Sequence, residues 1–449
     1  MPIRRLRALF FFIFILLLPS INAQNRDSVI YKFFAENGIP ITYNNRLTFL
    51  TSGASKFKDL FSAIRQAKHS VHLEYFNFRN DSIANALFDL LIVKAQEGVK
   101  VRALFDAFGN ASNNKPLKKE HLRRLRSKGV EIYKYDPLRF PWINHALSRD
   151  HRKIVIIDGQ IAYTGGMNVA DYYINGTKEV GNWRDMHMRI EGDAVAELQK
   201  IFLRIWNRTT RQNIHGEEYY PGEKNDTQGF IGLTEDTCYT AGKKELAIVN
   251  REPHFTPKII RQTFLTAINS ANSTIQIVNP YFTLNHKIKS ALEKAIQRGV
   301  RVEIMVSEAS DIPITPRIVD YTVRQLMKKG AHVYYYQKGF HHSKIMMIDK
   351  TYSFVGSANL NSRSLSYDYE CNVMIFDPET TSQLIRIFEQ DKQEHCIPLT
   401  NEYWGKRKKW KNFQGWLFHF LRPFVFNIQE MENEKSTETN RTIRPYIFS

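Results

Sequence analysis

The sequence predicts an α/β fold made of two homologous halves, related by a pseudo-dyad, with the functional site at their interface. A short pattern, His-x-Lys-x4-Asp, occurs twice and begins at His151 and at His342. Helical and strand-like segments also alternate in the same order around each copy, as they do in α/β proteins. Homologous halves of one chain usually pack about a pseudo-dyad, so we expect both copies to face a single cleft.

The segments that precede each pattern are helix–strand pairs. Amphipathic helices closed by Gly98 in the first half and by Gly299 in the second lead into strands rich in β-branched and aromatic residues. Glycine-stopped helices between strands favour sheets that are covered by helices. The corresponding segments are 63–78 and 267–282, 86–105 and 291–306, and 122–135 and 323–336.

Each pattern continues into an apolar run that suits a buried strand. Residues i and i+2 of a strand share a face, so His151 and Lys153 are expected to point the same way. The same spacing relates His342 to Lys344. His341 would then point to the opposite face.

The aspartates of the pattern fall at predicted turns. Asp158-Gly159 is a strong hairpin signal, and Asp349-Lys350 occupies the equivalent position. We therefore favour a structural role over a catalytic one for both aspartates. A glycine and an asparagine follow each turn at matched offsets. These residues are Gly165 and Asn168 in the first copy, and Gly356 and Asn359 in the second.

The residue types in the pattern suit the transfer of a phosphoryl group. A neutral imidazole can attack the phosphorus of a phosphodiester and form a phosphohistidine, while a protonated second imidazole donates to the leaving oxygen. The two lysines would neutralise the phosphoryl oxygens, so no metal or cofactor is expected. Asn168 and Asn359 either add neutral N–H donors or only satisfy local backbone. The catalytic candidates are His151, Lys153, Asp158, His342, Lys344 and Asp349.

Composition narrows the class of partner. The formal net charge of +18 over 449 residues indicates an anionic partner, which nucleic acid, anionic lipid headgroups or a phosphorylated substrate would supply. A merely basic, soluble surface is the alternative. Three cysteines, Cys238, Cys371 and Cys396, lack the spacing of a zinc site or a disulfide framework, although a single pair would be compatible with an oxidising compartment. His72 either lines the cleft or fills the core.

The chain divides into six predicted regions. Three arginines before a short apolar run indicate a signal peptide at 1–23, or alternatively a short membrane anchor. A basic start followed by aromatic and leucine residues suits a helix on an anionic membrane at 406–424, with core packing as the equal alternative. The remaining regions are an N-terminal half at 40–215, a connecting loop region at 216–244, a C-terminal half at 245–400 and a polar tail at 427–449.

The paired patterns and their flanks resemble the phospholipase D superfamily, and within it the bacterial cardiolipin synthase branch. The resemblance covers roughly residues 40–425. The segments that carry it are 72–79, 149–173, 182–192, 279–282 and 340–364.

The resemblance implies a phosphatidyltransferase that converts two phosphatidylglycerol molecules to cardiolipin and glycerol. It favours His151 as the nucleophile and His342 as the general acid. It further implies that Asp185 and Glu370 hold the second nitrogen of the histidines. With water as the acceptor, the same first step would make a secreted phospholipase D. A nuclease or phosphodiesterase acting on nucleic acid is a further, weaker alternative.

The N-terminus departs from that branch, whose members commonly begin with two membrane-spanning helices. This chain has one short signal-like segment. We therefore expect a protein that is exported across the inner membrane, and that is associated with the periplasmic face or anchored by the N-terminal segment. The expected partners are the phospholipid substrate and an anionic membrane surface, with no obligatory protein partner.

Overall fold

A computed structural model describes residues 29–137, 148–221, 237–406 and 417, with backbone alone at 237–242. The predicted signal segment, the polar tail and all of the predicted basic helix except Lys406 and Leu417 lie outside these residues. In the part of the chain described, no helix combines the length and the apolar character needed to cross a membrane.

Seventeen strands are described. They are β1 (Ile41–Leu50), β2 (Ser70–Tyr75), β3 (Lys100–Asp106), β4 (Glu131–Tyr135), β5 (Ile154–Ile157), β6 (Ile161–Gly165), β7 (Asn182–Arg184), β8 (His187–Gly192), β9 (Thr237–Arg251), β10 (Thr274–Val278), β11 (Arg301–Ser307), β12 (His332–Tyr336), β13 (Gly339–His341), β14 (Ile345–Ile348), β15 (Tyr352–Gly356), β16 (Glu370–Ile375) and β17 (Cys396–Pro398).

The helices alternate with these strands. They are α1 (residues 29–36), α2 (Gly53–Gln66), α3 (Ser82–Gln96), α4 (Ala107–Ala111), α5 (Lys119–Ser127), α6 (Tyr172–Asn175), α7 (Ala194–Thr210), α8 (Ile259–Ser270), α9 (His286–Gln297), α10 (Thr315–Met327), α11 (Ser362–Ser366), α12 (Pro378–His395) and α13 (Asn401–Lys406).

The two-half α/β prediction is confirmed by the strand order. Fifteen strands form one sheet in the order β4-β3-β2-β5-β6-β8-β1-β9-β16-β15-β14-β10-β11-β12-β17. Read outward from the antiparallel β1–β9 pair, the first seven strands of each half correspond one to one. The pseudo-dyad therefore passes between β1 and β9.

Local signals also repeat between the halves. Asp81 caps α3 by accepting from the Ala84 N–H, and Asn285 caps α9 in the same way. The helix-closing Gly98 and Gly299 have φ of +93° and +89°, a backbone region that favours glycine. Equivalent sequence positions thus start and stop equivalent helices.

Helices cover both faces of the sheet. In the first half α2, α3 and α5 bury apolar side chains against one face, and in the second half α8, α9 and α10 do so. On the opposite face α7 and α12 share a core that draws residues from both halves, including Phe202, Trp206, Leu384 and Phe388. This common core fixes the halves against each other.

The predicted connecting loop at 216–244 is wrong at its C-terminal end, because β9 begins at Thr237. This strand of 15 residues pairs with β1 on one side and with β16 on the other. Glycines and polar residues favoured a loop, but this part of β9 pairs with β1, and the ladder bonds satisfy its backbone. Strand β9 therefore joins the strands of the first half to those of the second.

Candidate active site

The two His-x-Lys segments lie just before strands β5 and β14 rather than inside them. Each continues an extended segment that pairs with the opposite half. Asp150 forms a parallel bridge with Tyr369, and the His151 N–H donates to the Tyr369 carbonyl at 3.0 Å. In the second copy β13 pairs in parallel with β7, and the His342 N–H donates to the Arg184 carbonyl at 2.6 Å. Each histidine is thereby held next to the residue that follows its hydrogen-bonded partner in the other half.

That residue is a carboxylate in both cases. The Nδ1 atom of His151 lies 3.1 and 3.3 Å from the two carboxylate oxygens of Glu370. The Nδ1 atom of His342 lies 2.7 Å from Oδ2 of Asp185. The structure thus places both predicted carboxylates at the histidines, and it adds that the pairing is crossed between the halves.

Each carboxylate has a second donor that fixes its position. The Ser357 hydroxyl donates to Glu370. The Met186 N–H donates to Asp185 at 2.7 Å. Gly166 lies so close to Asp185 that an added Cβ would come within 2.2 Å of its Oδ1 atom. Oriented carboxylates fix the tautomer of their histidines with the proton on Nδ1, so that Nε2 of each ring carries the lone pair.

The lysines complete the site. Lys153 Nζ donates to the carbonyl of His151 at 2.5 Å. Lys344 Nζ lies 2.9 and 3.0 Å from Nδ1 and Nε2 of His342, as predicted for two residues on one face. Lys344 also acts electrostatically on His151, and Lys153 on His342. The two His–Lys pairs therefore share one site.

Burial sets the ionisation of this cluster. Desolvation lowers the pKa of both imidazoles, and the neighbouring Lys153 and Lys344 lower it further. Both histidines are therefore mainly neutral at pH 7. A phosphodiester anion between the lysines would raise both pKa values by offsetting the positive charge.

The pKa values of the lysines and of the two carboxylates are also shifted. Burial lowers the pKa of Lys153 to about 8 and that of Lys344 to about 7. Burial raises the pKa of Asp185 to about 6, in spite of the nearby Lys344. Burial also acts to raise the pKa of Glu370, but His151 and Lys153 outweigh it, and the net shift is downward. Glu370 is thus the more firmly ionised of the two carboxylates.

Both predicted asparagines are buried. Asn168 and Asn359 are 6% and 4% exposed. Their Oδ1 atoms are buried and lack a hydrogen-bond partner among the described residues. Unpaired buried amide groups are costly, and a ligand with donors and acceptors would satisfy them. The unpaired atoms are acceptors, so they are open to a donor group of a ligand, and the role of the two asparagines as N–H donors stays a prediction.

The aspartates of the pattern stabilise turns instead. Asp158 accepts three backbone N–H bonds of 2.8 Å from residues 68–70. Asp349 accepts three from residues 272–274 at 2.6 to 2.9 Å. Both aspartates have positive φ, +52° and +53°, as a primed hairpin turn requires.

His72 and His341 are not part of the two His–Lys pairs. His72 is fully buried, stacks on Phe202 and contacts Gln199 and Arg102, so it fills the core. His341 lies 3.3 Å from Asp391, on the side away from His342, as predicted. Cys371 and Cys396 are free thiols, and the side chain of Cys238 lies outside the described residues.

Sequence reasoning missed two buried arginines that support the site. Arg149 pairs with Asp106 at 3.0 Å, and Arg152 pairs with Glu74 at 2.7 Å and with Asp150 at 3.1 Å. Both arginines are fully buried. Arg152 is the middle residue of the first His-x-Lys, and the second copy has a serine there. That asymmetry was visible in the sequence, but the buried partners were not.

Two α/β halves that bring two His–Lys pairs and two crossed carboxylates into one site define the phospholipase D-like class of proteins. The family described as cardiolipin synthase, PLD-like domain, matches residues 60–206 and 264–392. The chain belongs to this family.

Curated relatives align over most of the chain. Cardiolipin synthase 2 of Staphylococcus epidermidis is 35% identical over 392 residues, which cover 87% of this chain and 76% of the relative. Cardiolipin synthase 1 of Bacillus cereus is 33% identical over 395 residues, which cover 86% of this chain and 71% of the relative.

A solved structure shares the fold at low sequence identity. Phosphatidylserine synthase of Haemophilus influenzae superposes with a TM-score of 0.67 and 15% identity, covering 89% of this chain and 98% of that chain. This match supports the α/β architecture derived above.

Proposed function

We propose that the protein is a phosphatidyltransferase of the cardiolipin synthase type, which transfers a phosphatidyl group from one phosphatidylglycerol to a hydroxyl of another. The observation that carries the proposal is the crossed pair of His–carboxylate contacts, with one lysine beside each histidine in a single buried site. The relatives named cardiolipin synthase favour a lipid as the substrate.

In the first half-reaction, Nε2 of His151 attacks phosphorus and the bond to the leaving glycerol oxygen breaks. His342, protonated once the phosphodiester is bound, gives its proton to that oxygen. The carboxylate of Glu370 stabilises the positive charge that develops on His151, since it contacts Nδ1 of that ring. The product is a phosphatidyl group on His151 and free glycerol.

In the second half-reaction, His342 takes a proton from a hydroxyl of the acceptor lipid. The oxygen attacks phosphorus, the bond to His151 breaks and cardiolipin leaves. Charge on the phosphoryl oxygens is neutralised by Lys153 and Lys344, with Asn168 and Asn359 as neutral donors.

Two observations favour this order of the histidines. Glu370 is more firmly ionised than Asp185 and so makes its histidine the better nucleophile. The His151 side chain is also the more accessible, at 17% exposure against 7% for His342.

The proposed site of action rests on features of the sequence. The signal-like N-terminus and the basic, aromatic segment at 406–424 support a protein exported across the inner membrane and bound to an anionic surface. No observation on the described residues favours a nucleic acid over a lipid.

The test is a product analysis with vesicles of phosphatidylglycerol. The proposal expects cardiolipin and glycerol in equal amounts. Phosphatidic acid as the sole product, with acceptor lipid in excess, would instead identify a phospholipase D. Cleavage of DNA that is lost in His151→Ala would identify a nuclease.

A further inference from the structure

The two half-sites differ in the side chains that follow their second strands. After β2, Phe76 packs edge-on against His151, with ring centroids 5.2 Å apart. After β10, Tyr281 packs edge-on against His342 at 5.7 Å. The nucleophile therefore has an apolar neighbour, whereas the general acid has a neighbour with a hydroxyl group.

That hydroxyl belongs to a polar pair. Tyr281 donates to Oδ1 of Asp311 at 2.7 Å, and the Ser310 hydroxyl donates to the same oxygen at 3.3 Å. Among the described residues, no hydrogen bond is directed at Oδ2 of Asp311. Asp311 is exposed and lies in the loop after β11. One oxygen of this carboxylate is therefore available to a donor that arrives from solvent.

Electrostatics place Asp311 close to the reacting groups. Its charge acts on Lys344, and the ammonium group of Lys344 acts on Asp311 in return. Partial desolvation by its neighbours raises the pKa of Asp311, although Tyr281 and Lys344 oppose that shift. The ionised carboxylate of Asp311 repels a phosphate group, which is also an anion. It can, however, accept a hydrogen bond from the hydroxyl group of an alcohol.

The first half does not repeat this arrangement. The corresponding residue after β3 is Asn110, which is buried in α4. Its amide is engaged on both sides, donating to the Leu117 carbonyl at 3.2 Å and accepting from the Leu117 N–H at 2.8 Å. In the first half this position therefore holds its own loop together, whereas in the second half Oδ2 of Asp311 is open to a ligand.

We propose that Asp311 and Tyr281 form an acceptor subsite for a vicinal diol, the glycerol headgroup of the acceptor lipid. Oδ2 of Asp311 accepts a hydrogen bond from one hydroxyl, and the neighbouring hydroxyl lies at Nε2 of His342. This inference rests on the proposed function, because it assigns the alcohol to the His342 side. The same subsite holds the leaving glycerol in the first half-reaction, since the two steps are the reverse of one another.

The subsite explains how transfer competes with hydrolysis. In the second step the proton passes from the acceptor hydroxyl to His342, the new P–O bond forms and the P–N bond to His151 breaks. Water has no second hydroxyl to bind Asp311, so the subsite favours a diol over water and over a simple alcohol. A hydrogen bond to a charged group contributes about 1.5–3 kcal/mol, which corresponds to roughly tenfold or more in preference.

The experiment compares Asp311→Asn with the matched control Glu308→Gln. Glu308 is exposed in the same loop, carries the same charge and contacts Gln337. Each protein receives phosphatidylglycerol vesicles with equal concentrations of isotope-labelled glycerol and 1-propanol. We expect Asp311→Asn to lower the preference for glycerol by about tenfold, with a smaller change in total donor consumption. Tyr281→Phe, which keeps the ring, should shift the preference in the same direction.

The outcomes separate the two proposals. Unchanged preference in Asp311→Asn, in a wild-type background that makes cardiolipin, would overturn the subsite alone. An equal shift in Glu308→Gln would also overturn it, because the effect would then be one of charge in the loop. A wild-type protein that forms only phosphatidic acid would overturn the proposed function itself.

Discussion

His151 is hydrogen-bonded to Glu370, although 219 positions separate them in the chain. The counterpart contact between His342 and Asp185 crosses the pseudo-dyad in the opposite direction. Neither half therefore contains a complete His–carboxylate pair. Duplication here yields a site that needs both halves, and it gives each histidine its own electrostatic setting.

The first prediction concerns the order of the histidines. Both His151→Ala and His342→Ala should lose about 10³-fold or more in turnover, since one removes the nucleophile and the other the acid. His342→Ala should still form a phosphatidyl adduct slowly, whereas His151→Ala should form none. Mass spectrometry of acid-labile adducts on a quenched reaction measures this. An adduct in His151→Ala that is absent from His342→Ala would reverse the assignment.

The second prediction is a bell-shaped pH profile of kcat/KM, which reports groups of the free enzyme. Below the Asp185 pKa of about 6 that carboxyl is protonated, and His342 loses its anionic partner. Above the pKa values of about 7 for Lys344 and about 8 for Lys153, neutral amines no longer balance the phosphate charge. Activity should therefore fall on both sides of this range.

Matched amides test the assignment of the acidic limb. Asp185→Asn and Glu370→Gln should each lower the rate, by about 10²-fold. Only Asp185→Asn should remove the acidic limb of the pH profile near pH 6. The pKa of Glu370 is lowered, so this carboxylate stays ionised at pH 6. An acidic limb that persists in Asp185→Asn would assign it to another group.

The third prediction separates the aspartates of the pattern from its histidines and lysines. Asp158→Ala and Asp349→Ala each leave three backbone N–H groups without their acceptor. Each should lower the free energy of unfolding by about 1–3 kcal/mol. The kcat of the folded fraction should stay close to that of the wild type. Thermal unfolding with activity per folded molecule checks both. A large loss of kcat at unchanged stability would give these aspartates a catalytic role.

Much of this architecture follows from local sequence. The helix–strand pairs, the glycine stops at Gly98 and Gly299 and the turns at Asp158 and Asp349 depend on nearby residues. The repeat further indicated that the halves pair. The duplicated pattern also predicted that the two His–Lys pairs face a shared cleft.

Long-range pairing accounts for what the sequence did not predict. The sequence predicted a loop at residues 237–244 because they are largely polar, and only their pairing with β1 makes them part of strand β9. The crossed carboxylates depend on bridges between residues far apart in the chain, which no periodicity encodes. The buried partners Asp106, Glu74 and Asp150 come from three separate segments, so their pairing with Arg149 and Arg152 could not be predicted from local patterns either.

The last prediction concerns Arg152, which ties the first His-x-Lys to both halves. Its guanidinium contacts Glu74 and Asp150, and it lies 5.3 Å from the ring of Tyr369, the residue that holds the His151 N–H. Arg152→Met leaves buried carboxylates unpaired and should lower the free energy of unfolding by about 3–5 kcal/mol. Urea unfolding measures this. The control Arg124→Ala, which breaks an exposed pair with Asp89, should cost about 1 kcal/mol or less.

The loss in Arg152→Met should also depend on pH. Burial already raises the pKa of Glu74 well above its usual value, although Arg152 opposes this shift. Without the arginine that pKa rises further, so the folded state binds a proton that the unfolded chain releases near pH 4. The stability of the variant should therefore be best preserved below pH 4 and should fall as pH rises toward neutrality. A pH-independent deficit would mean that the network acts through packing alone, and that charge pairing does not hold His151 against Glu370.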